Sequence, residues 1–491
     1  MTAHAPVLIV VIPLVMAVLV PLVALRSAQW ARILVLLALL GAMTCAAIAL
    51  TQTLSTGPWH YQLGGWEPPW GIEYVLDPLS SGMALLISAV AILVAIYAGP
   101  HLSGWAASRS GIFSSLFLLL NTGLLGIVVT GDFFNLYVFL EISSLAAYAL
   151  LASGTIQATV AAFRYLIIGT IAATFYLLGV GYLYALTGTL NMADVAARLP
   201  TVANSSPFFV AVIFIAVGLS IKAALFPMHG WLPDAYAYAP PTIIGFISAV
   251  MAKVSVYALF RVLYFVLRPA EIVGQTLTVL SWAAAIAILA GSLLAVAQRD
   301  IRRMLAYSSV GQMGYIMLGL ALGTRAALIG ALLHMLNHAI MKGCLFLVAG
   351  GVQWRTGSCN LDDFAGISRR MPFTMAAFVV AAISMIGLPP TAGFFSKWYL
   401  VTGAIQVHAW VFVAVLIGSS LLSAVYFFRV IEWAYLHAPE HNATPTLRRQ
   451  DLPAQMLMPI LLLATGVLLL GLFNQTVISH VIQYALPQGG F

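Results

Sequence analysis

Three titratable side chains recur at steps of four in the segment ALLHMLNHAIMKGCLF, namely His334, His338 and Lys342. In an α-helix this spacing places them on one face, spread over about 12 Å. Because imidazole both accepts and donates protons near neutral pH, two histidines in line with a lysine can pass a proton onward. One alternative is a metal bound by His334 and His338, although no Asp, Glu or Cys completes that site. The other is a set of ordinary interhelical hydrogen bonds.

A single carboxylate, Glu141, is expected near the middle of an apolar helix. It follows Asp132, a predicted N-cap, by nine residues in TGDFFNLYVFLEISS, which places it about 13 Å along the helix. Placing an acidic side chain at the centre of a membrane costs about 2.5–3.5 kcal/mol of free energy or more, so such a residue is expected to have a partner or a function. The alternative is a Glu that only locks two helices together through one hydrogen bond.

The four lysines, unlike the arginines, all fall inside apolar stretches. Lys222 precedes the proline breaks in IKAALFPMHGWLPDAYAYAPP, and Lys253 lies in the next helix. Movement of Glu141 toward or away from Lys222 would decide whether this lysine holds its proton, which predicts a switchable proton site. A static ion pair is the alternative, although buried ion pairs need not stabilise a fold.

Glu141, Lys222, Lys253 and the α-helical face with His334, His338 and Lys342 would form a row of titratable groups, and four further side chains are candidates for its ends or for accessory positions beside it. Lys397 follows a second proline break in ISMIGLPPTAGFFSKW and would end the row. His229 lies within the first break and could connect the row to one surface. Tyr307 and Ser308 are accessory candidates, because hydroxyl groups in membrane helices commonly bond only to neighbouring backbone.

The composition requires that membrane-spanning helices position these groups. Of 491 residues, 62% are hydrophobic and only 7% are charged, whereas soluble domains are about 25% charged. The first apolar run lacks a basic leader and a cleavage motif, so we expect a retained helix. No clustered basic face indicates nucleic-acid binding, and three isolated cysteines favour neither a cofactor nor a metal site. Hydropathy predicts an all-α integral membrane protein of about fourteen helices, near 6–25, 31–52, 78–98, 112–130, 132–153, 160–186, 208–238, 241–266, 276–297, 302–322, 325–353, 372–404, 408–432 and 453–475.

The two proline-broken helices hold matching positions in two groups of five. Since five is odd, the second group must run in the opposite direction, and paired broken helices in inverted repeats indicate a transport path near the midplane. This predicts four parts: supporting helices over 1–110, one repeat over 111–266, the other over 275–433, and a C-terminal helix over 450–491.

The arginines predict the orientation. Thirteen of the 17 lie in or beside one set of alternate connections, and four lie on the other side. By the positive-inside rule the richer side is cytoplasmic, which places both termini outside a prokaryotic cell membrane.

Several long segments resemble one known family. GDFFNLYVFLEISSLAAY, IKAALFPMHGWLPDAYAYAPP, AYSSVGQMGY, LHMLNHAIMKGCLFLVAGG and GLPPTAGFFSKW are similar to the antiporter-like subunits of respiratory complex I, membrane-bound hydrogenases and Mrp-type cation/proton antiporters. The resemblance spans about residues 75–435. It implies a coupled pair, a central lysine, a relay and a terminal lysine, which here would be Glu141 with Lys222, then Lys253, then His334, His338 and Lys342, then Lys397. Lys397 and the chain length are most similar to the D subunit of Mrp-type antiporters.

These observations support a first hypothesis, in which the chain is the proton-translocating subunit of a multisubunit Na⁺/H⁺ antiporter with other hydrophobic subunits as partners. It would perform no covalent chemistry of its own. The second hypothesis is a proton-pumping subunit of a hydrogenase or an NADH:quinone oxidoreductase-type complex, whose redox energy arises in other chains. A passive membrane scaffold is a third reading, and it gives no reason for burying four lysines.

Overall fold

The computed structural model describes residues 2–267, 271–437 and 450–487, and nearly all of them are helical. Twelve described helices are long and apolar enough to cross a membrane. Two proline-broken pairs supply the remaining spans, which confirms the prediction of fourteen. The chain begins with α1 (Ala5–Arg26), α2 (Ala28–Thr56), strands β1 (Trp59–Gln62) and β2 (Glu73–Leu76), and α3 (Pro78–Leu102).

The two strands are an element that hydropathy did not predict. They pair antiparallel, with Trp59 opposite Leu76 and Gln62 opposite Glu73. Each is only four residues long, and the prolines and glycines between them indicate a loop when read from the sequence alone. The hairpin lies at the end of the bundle where α2 ends and α3 begins.

The first group of five spans contains one broken helix and one span with π-helical turns. The break separates α8 from α9 around Pro227, and π-helical turns Ile247–Met251 and Val262–Val266 flank α11. Its helices are α4 (Ala107–Val129), α5 (Phe133–Ala152), α6 (Ile156–Thr187), the short α7 (Met192–Arg198), α8 (Ser206–Lys222), α9 (Trp231–Tyr238), α10 (Pro241–Phe246) and α11 (Ala252–Arg261).

The second group also contains one broken helix. Its break follows Ile386, where Gly387 adopts a left-handed φ of 94° and ends the helix, and Pro389 and Pro390 cannot donate to it. Its helices are α12 (Glu271–Val296), α13 (Ile301–Leu322), α14 (Arg325–Thr356), the short α15 (Ile367–Arg370), α16 (Pro372–Ile386), α17 (Ala392–Gln406) and α18 (Trp410–Leu436), and the chain continues through α19 (Ala454–Leu472) and α20 (Asn474–His480).

The two groups are inverted, as predicted. In each group an Asp caps the start of the second helix, and this Asp forms an isolated β-bridge with an Asn that follows the third helix. The pairs are Asp132 with Asn191 and Asp300 with Asn360. Asp132 accepts from the backbone N–H of Asn135 at 2.7 Å, which confirms the predicted N-cap. Because an odd number of spans separates these two bridges, they lie at opposite ends of the bundle.

One end of the bundle, formed by the α1–α2, α3–α4 and α5–α6 connections, carries most arginines and is called the arginine-rich end. Arg26, Arg32 and Arg109 lie there. The orientation of this end in a cell stays a prediction from the sequence. Arg268, Arg448 and Arg449, which that prediction also used, lie outside the described residues.

Candidate functional site

The first site pairs Glu141 with Lys222. Glu141 lies at the middle of α5, and Lys222 is the last residue of α8, directly before the break. Lys222 Nζ is 3.9 Å from Glu141 Oε1, so the two charges face each other without a hydrogen bond. The lysine side chain is 4% exposed and the glutamate side chain 27%. Glu141 is therefore less deeply buried than the sequence suggested, because it borders the outer surface of the chain.

Two side chains that the sequence analysis missed hold the Lys222 ammonium. Ser144 Oγ accepts a hydrogen bond from Lys222 Nζ at 2.6 Å, and the Tyr148 hydroxyl lies at 3.5 Å. Both follow Glu141 on one face of α5, at steps of three and seven, a spacing that could have identified them. Gly169 of α6 makes room for the tyrosine, since a Cβ there would overlap the Tyr148 hydroxyl.

The central lysine, Lys253, is 1% exposed and begins α11 directly after a π-helical turn. Its ammonium donates to the backbone carbonyl of Ser248, which lies within that turn. A π-helical turn shifts the backbone hydrogen-bond pattern by one residue and often occurs at functional sites. The turn therefore gives the buried lysine an acceptor on its own helix.

His334 of α14 is fully buried and is hydrogen-bonded through both ring nitrogens. Its Nδ1 lies 2.9 Å from Ser396 Oγ and its Nε2 lies 2.8 Å from Gln312 Oε1. These contacts join α14 to α17 and α13, and they leave no free nitrogen on this ring for a metal. The sequence analysis missed Gln312 and Ser396, although a lone amide in an apolar helix is itself a signal of a polar network.

His338 and Lys342 continue the same face of α14, as the spacing predicted. The His338 ring stacks on His334 with centroids 5.8 Å apart and an interplanar angle of 6°. Both nitrogens of the fully buried His338 have no hydrogen-bond partner among the described residues. Lys342 Nζ donates to the backbone carbonyl of Leu305 at 2.7 Å, which ties α14 to α13.

Lys397 lies on α17, after the second break, and uses the carbonyls that this break frees. Its Nζ donates to the carbonyls of Met385 at 2.8 Å and Ile386 at 3.1 Å, and to Ser420 Oγ at 3.1 Å. The last carbonyls of a helix carry partial negative charge and suit a cation. The broken helix α16 thus supplies the acceptors for the terminal lysine of the row, which also lies 4.8 Å from the Tyr315 ring centre.

The accessory candidates occupy less central positions. His229 lies within the first break, is partly exposed, and stacks on Phe226. Ser308 accepts a hydrogen bond from the Tyr426 hydroxyl at 3.0 Å, which joins α13 to α18. Tyr307 is partly exposed beside Arg303.

The predicted residues fall into two groups. Glu141 and Lys222 form the first group. The second group consists of Lys253, His334, His338, Lys342 and Lys397. Lys253 belongs to it because it lies close enough to His338 and Lys342 to interact electrostatically with them.

Helix α4 contacts elements of both groups. Gly123 of α4 packs against α5, since a Cβ there would overlap Ser143. The ring of Phe117 contacts Phe246 of α10, and the Tyr257 hydroxyl of α11 donates a hydrogen bond to the Val128 carbonyl of α4. Asn121 of α4 lies between these contacts, is 0% exposed, and has both amide atoms without a described partner. A buried amide of this kind needs hydrogen-bond partners, so Asn121 is a candidate site residue that the sequence analysis missed.

Comparison with known proteins gives this arrangement a family. Residues 130–423, which include both broken helices and the row from Glu141 to Lys397, match the family described as NADH:quinone oxidoreductase/Mrp antiporter, transmembrane. The chain belongs to this family. It is thus an antiporter-type, multi-pass membrane subunit, and the resemblance inferred from its motifs is confirmed.

Three relatives within this antiporter family cover nearly the whole chain. The N subunit of the NADH-quinone oxidoreductase of Desulforudis audaxviator is 58% identical over 99% of each chain. The D subunit of the Na(+)/H(+) antiporter of Alkalihalophilus pseudofirmus is 29% identical over 91% of this chain and 90% of that one. A chain in the structure of the archaeal membrane-bound sulfane sulfur reductase, a respiratory membrane complex, is 32% identical with a TM-score of 0.91, over 98% of this chain and 97% of that one.

Proposed function

We propose that this chain translocates protons as a membrane subunit of a redox-driven respiratory complex of the quinone oxidoreductase type. The similarity to the N subunit of an NADH-quinone oxidoreductase, at 58% identity over the full length, carries this choice between the two hypotheses. The antiporter D subunit, of comparable coverage, shares only 29%. The comparisons therefore favour the second hypothesis over the first, the sodium/proton antiporter that the sequence motifs and the chain length suggested.

Protons would move through the row of buried cations and imidazoles. When Glu141 swings away from Lys222, the lysine loses its nearest negative charge and releases a proton toward Lys253, with Asn121 and internal water as the connection. His338, whose ring nitrogens are unpartnered among the described residues, would carry the proton between Lys253 and Lys342. Lys397 would end the row. The helix breaks favour such motion because they leave backbone carbonyls free to solvate an ammonium in the apolar interior.

The outer face of α5 supports assembly with another subunit. Glu141 lies on a stripe with Phe134, Val138 and Leu145, whose side chains are 46%, 36% and 59% exposed. In an isolated chain this partly exposed carboxylate would border lipid, which is costly. A neighbouring hydrophobic subunit that covers the stripe would remove this cost and would place its own groups beside Glu141.

The experiment uses the whole complex, purified through a tag on this chain in mild detergent and reconstituted into sealed vesicles. Electron transfer from the donor to a quinone and the resulting proton uptake are measured together for wild type, Glu141→Gln and Lys222→Met. We expect the variants to lose at least half of the protons moved per electron while electron transfer in uncoupled vesicles stays within twofold. Unchanged proton stoichiometry in both variants, with normal assembly, contradicts the proposal.

Cation/proton antiport is the second candidate, and the similarity to the D subunit of an Na(+)/H(+) antiporter supports it. The subunits that copurify discriminate between the two. Partners with iron–sulfur centres favour the redox pump. Small hydrophobic partners alone, together with a pH gradient that sodium collapses without any electron donor, favour antiport.

A further inference from the structure

A cavity of about 300 Å³ lies at the arginine-rich end, outside the titratable row. It is bounded by the ends of α2, α3, α4, α10 and α19 that meet at this end of the bundle. The residues that line it include Gln29 and Arg32 near the start of α2, Thr242 at the start of α10, and Gln455 at the start of α19. No described residue of the relay lines this cavity, so the proposed proton path does not explain it.

Two of its polar groups lack hydrogen-bond partners among the described residues. Thr242 is 2% exposed, and its buried hydroxyl has no described partner. Arg32 lies in the same cavity, and its Nε is buried without a described partner. A buried donor that stays unsatisfied destabilises the structure. A ligand that offers acceptors to both groups would remove this destabilisation.

The remaining wall is apolar and runs toward the membrane interior. Val35 and Leu36 of α2, Val94 and Ala95 of α3, and Phe117 of α4 contribute to it. The cavity thus has a cation at its outer end and an apolar surface beyond it. Trp30, which is 62% exposed on the same turn of α2 as Arg32, is typical of the boundary between lipid headgroups and acyl chains.

We propose that this cavity binds one anionic phospholipid. The phosphate lies against Arg32 and Gln29, the Thr242 hydroxyl donates to an ester oxygen, and one acyl chain fills the apolar part. Basic pockets between membrane helices suit anionic lipid headgroups. The charge of Arg32 discriminates against a zwitterionic lipid, because a choline group adds a second cation to a site that already has one.

The bound lipid has a structural consequence. It connects the supporting helices α2 and α3 to α10, the helix that leads into the π-helical turn and Lys253. Its removal would loosen this attachment without changing any titratable group of the relay. The inference concerns a separate site and does not rest on the proposed function.

The test uses two photoactivatable lipids with the same diazirine-bearing acyl chain, phosphatidylglycerol and phosphatidylcholine. The assembled complex is placed in phosphatidylcholine nanodiscs with a few per cent of either probe, illuminated, and digested to map the labelled peptides. Four variants are compared with wild type. Arg32→Gln removes the cation, Thr242→Val removes the hydroxyl, and Ala95→Phe fills the apolar part, while Arg26→Gln removes an exposed arginine at the same end that does not line the cavity.

We expect phosphatidylglycerol to label peptides of α2, α3 or α4 at least fivefold more than phosphatidylcholine does. Arg32→Gln and Ala95→Phe lower this labelling at least fivefold, Thr242→Val lowers it about twofold to threefold, and Arg26→Gln leaves it unchanged. Assembly is verified for each variant by its thermal unfolding. Equal labelling by the two lipids, or equal effects of Arg32→Gln and Arg26→Gln, overturns the proposal. Absence of labelling in the assembled complex also overturns it, because a neighbouring subunit then fills the cavity.

Discussion

Asp234, on the second half of the first broken helix, accepts a hydrogen bond from Arg303 at the start of α13. Its other carboxylate oxygen accepts from Arg164 of α6 at 2.8 Å. One carboxylate therefore joins three helices across the boundary between the two repeats. Helix α13 also supplies the Leu305 carbonyl to Lys342, so Asp234 connects α9 to a helix that contacts the second group of titratable residues.

Asp234→Asn tests this connection. The loss of two charge-assisted hydrogen bonds is expected to lower the free energy of unfolding by about 1–2 kcal/mol, a modest value because the Arg164 side chain is 64% exposed. We also expect fewer protons moved per electron. Thermal unfolding and vesicle proton uptake measure the two effects. Asp363→Asn, an exposed carboxylate on the same side, is the matched control, and equal results for both variants contradict the connection.

Ser144→Ala removes the hydroxyl that holds the Lys222 ammonium. A hydrogen bond to a charged group contributes about 1.5–3 kcal/mol, so we expect the rate of proton translocation to fall at least tenfold. Among the residues that the structure describes, the neighbouring Ser143 bonds to the Leu140 carbonyl of its own helix and to no relay residue, which makes Ser143→Ala the control. A wild-type rate in the Ser144 variant would show that the lysine does not depend on this contact.

Gly169→Ala places a methyl group where the Tyr148 hydroxyl lies. We expect displacement of the tyrosine, lower thermal stability and slower proton translocation. Removing the hydroxyl in the double variant Gly169→Ala/Tyr148→Phe should restore most of the stability, as a double-mutant cycle measures. Gly181 of the same helix has open space around it, so Gly181→Ala should behave like wild type. The absence of rescue would show that the clash lies elsewhere.

The ion pair between Asp77 and Arg261 predicts a dependence of stability on pH. Burial alone would raise the pKa of Asp77, but the charge of Arg261 at 2.6 Å and hydrogen bonds outweigh burial and lower the pKa. A lowered pKa adds stability that is present above about pH 4, the unfolded value, and is lost as the pH falls through the lower folded value.

Asp77→Asn removes this ion pair and keeps a side chain that can cap α3. Its deficit in unfolding temperature relative to wild type should therefore be largest at neutral pH and should shrink as the pH falls below about 4. Glu67→Gln, at an exposed position of the hairpin loop, controls for the loss of one negative charge. A deficit that stays constant from pH 7 to pH 3 contradicts the prediction.

Most of the fold could be predicted because a bilayer restricts what a chain can do. An apolar run of about 20 residues must form a helix to satisfy its backbone, and clustered prolines can interrupt that helix, although α1 continues through Pro13 and Pro21. The spans, both broken helices and the cap at Asp132 follow from such local rules. The β1–β2 hairpin does not, since its short strands depend on pairing with each other.

The candidate site could be predicted only in part. Glu141, the lysines and the α14 histidines are conspicuous because ionisable groups are rare in apolar helices. Their partners are harder to recognise: the spacing of Ser144 from Glu141 and the lone amide of Gln312 are weak local signals, and Ser396 has no local feature that distinguishes it from other small polar side chains. Only the contact of Lys222, at the end of α8, with α5, and the packing of α14 on α13 and α17, give them a role.

The sequence by itself therefore determined the number of spans, the positions of the breaks and the types of residue that can hold a proton, because each depends on residues close together in the chain. The tertiary structure decided which of those residues meet. The 3.9 Å separation of Glu141 and Lys222, and the hydrogen bonds that join His334 to Gln312 and Ser396, depend on how helices distant in sequence pack. Contacts of that kind are set by the shapes of whole helix faces.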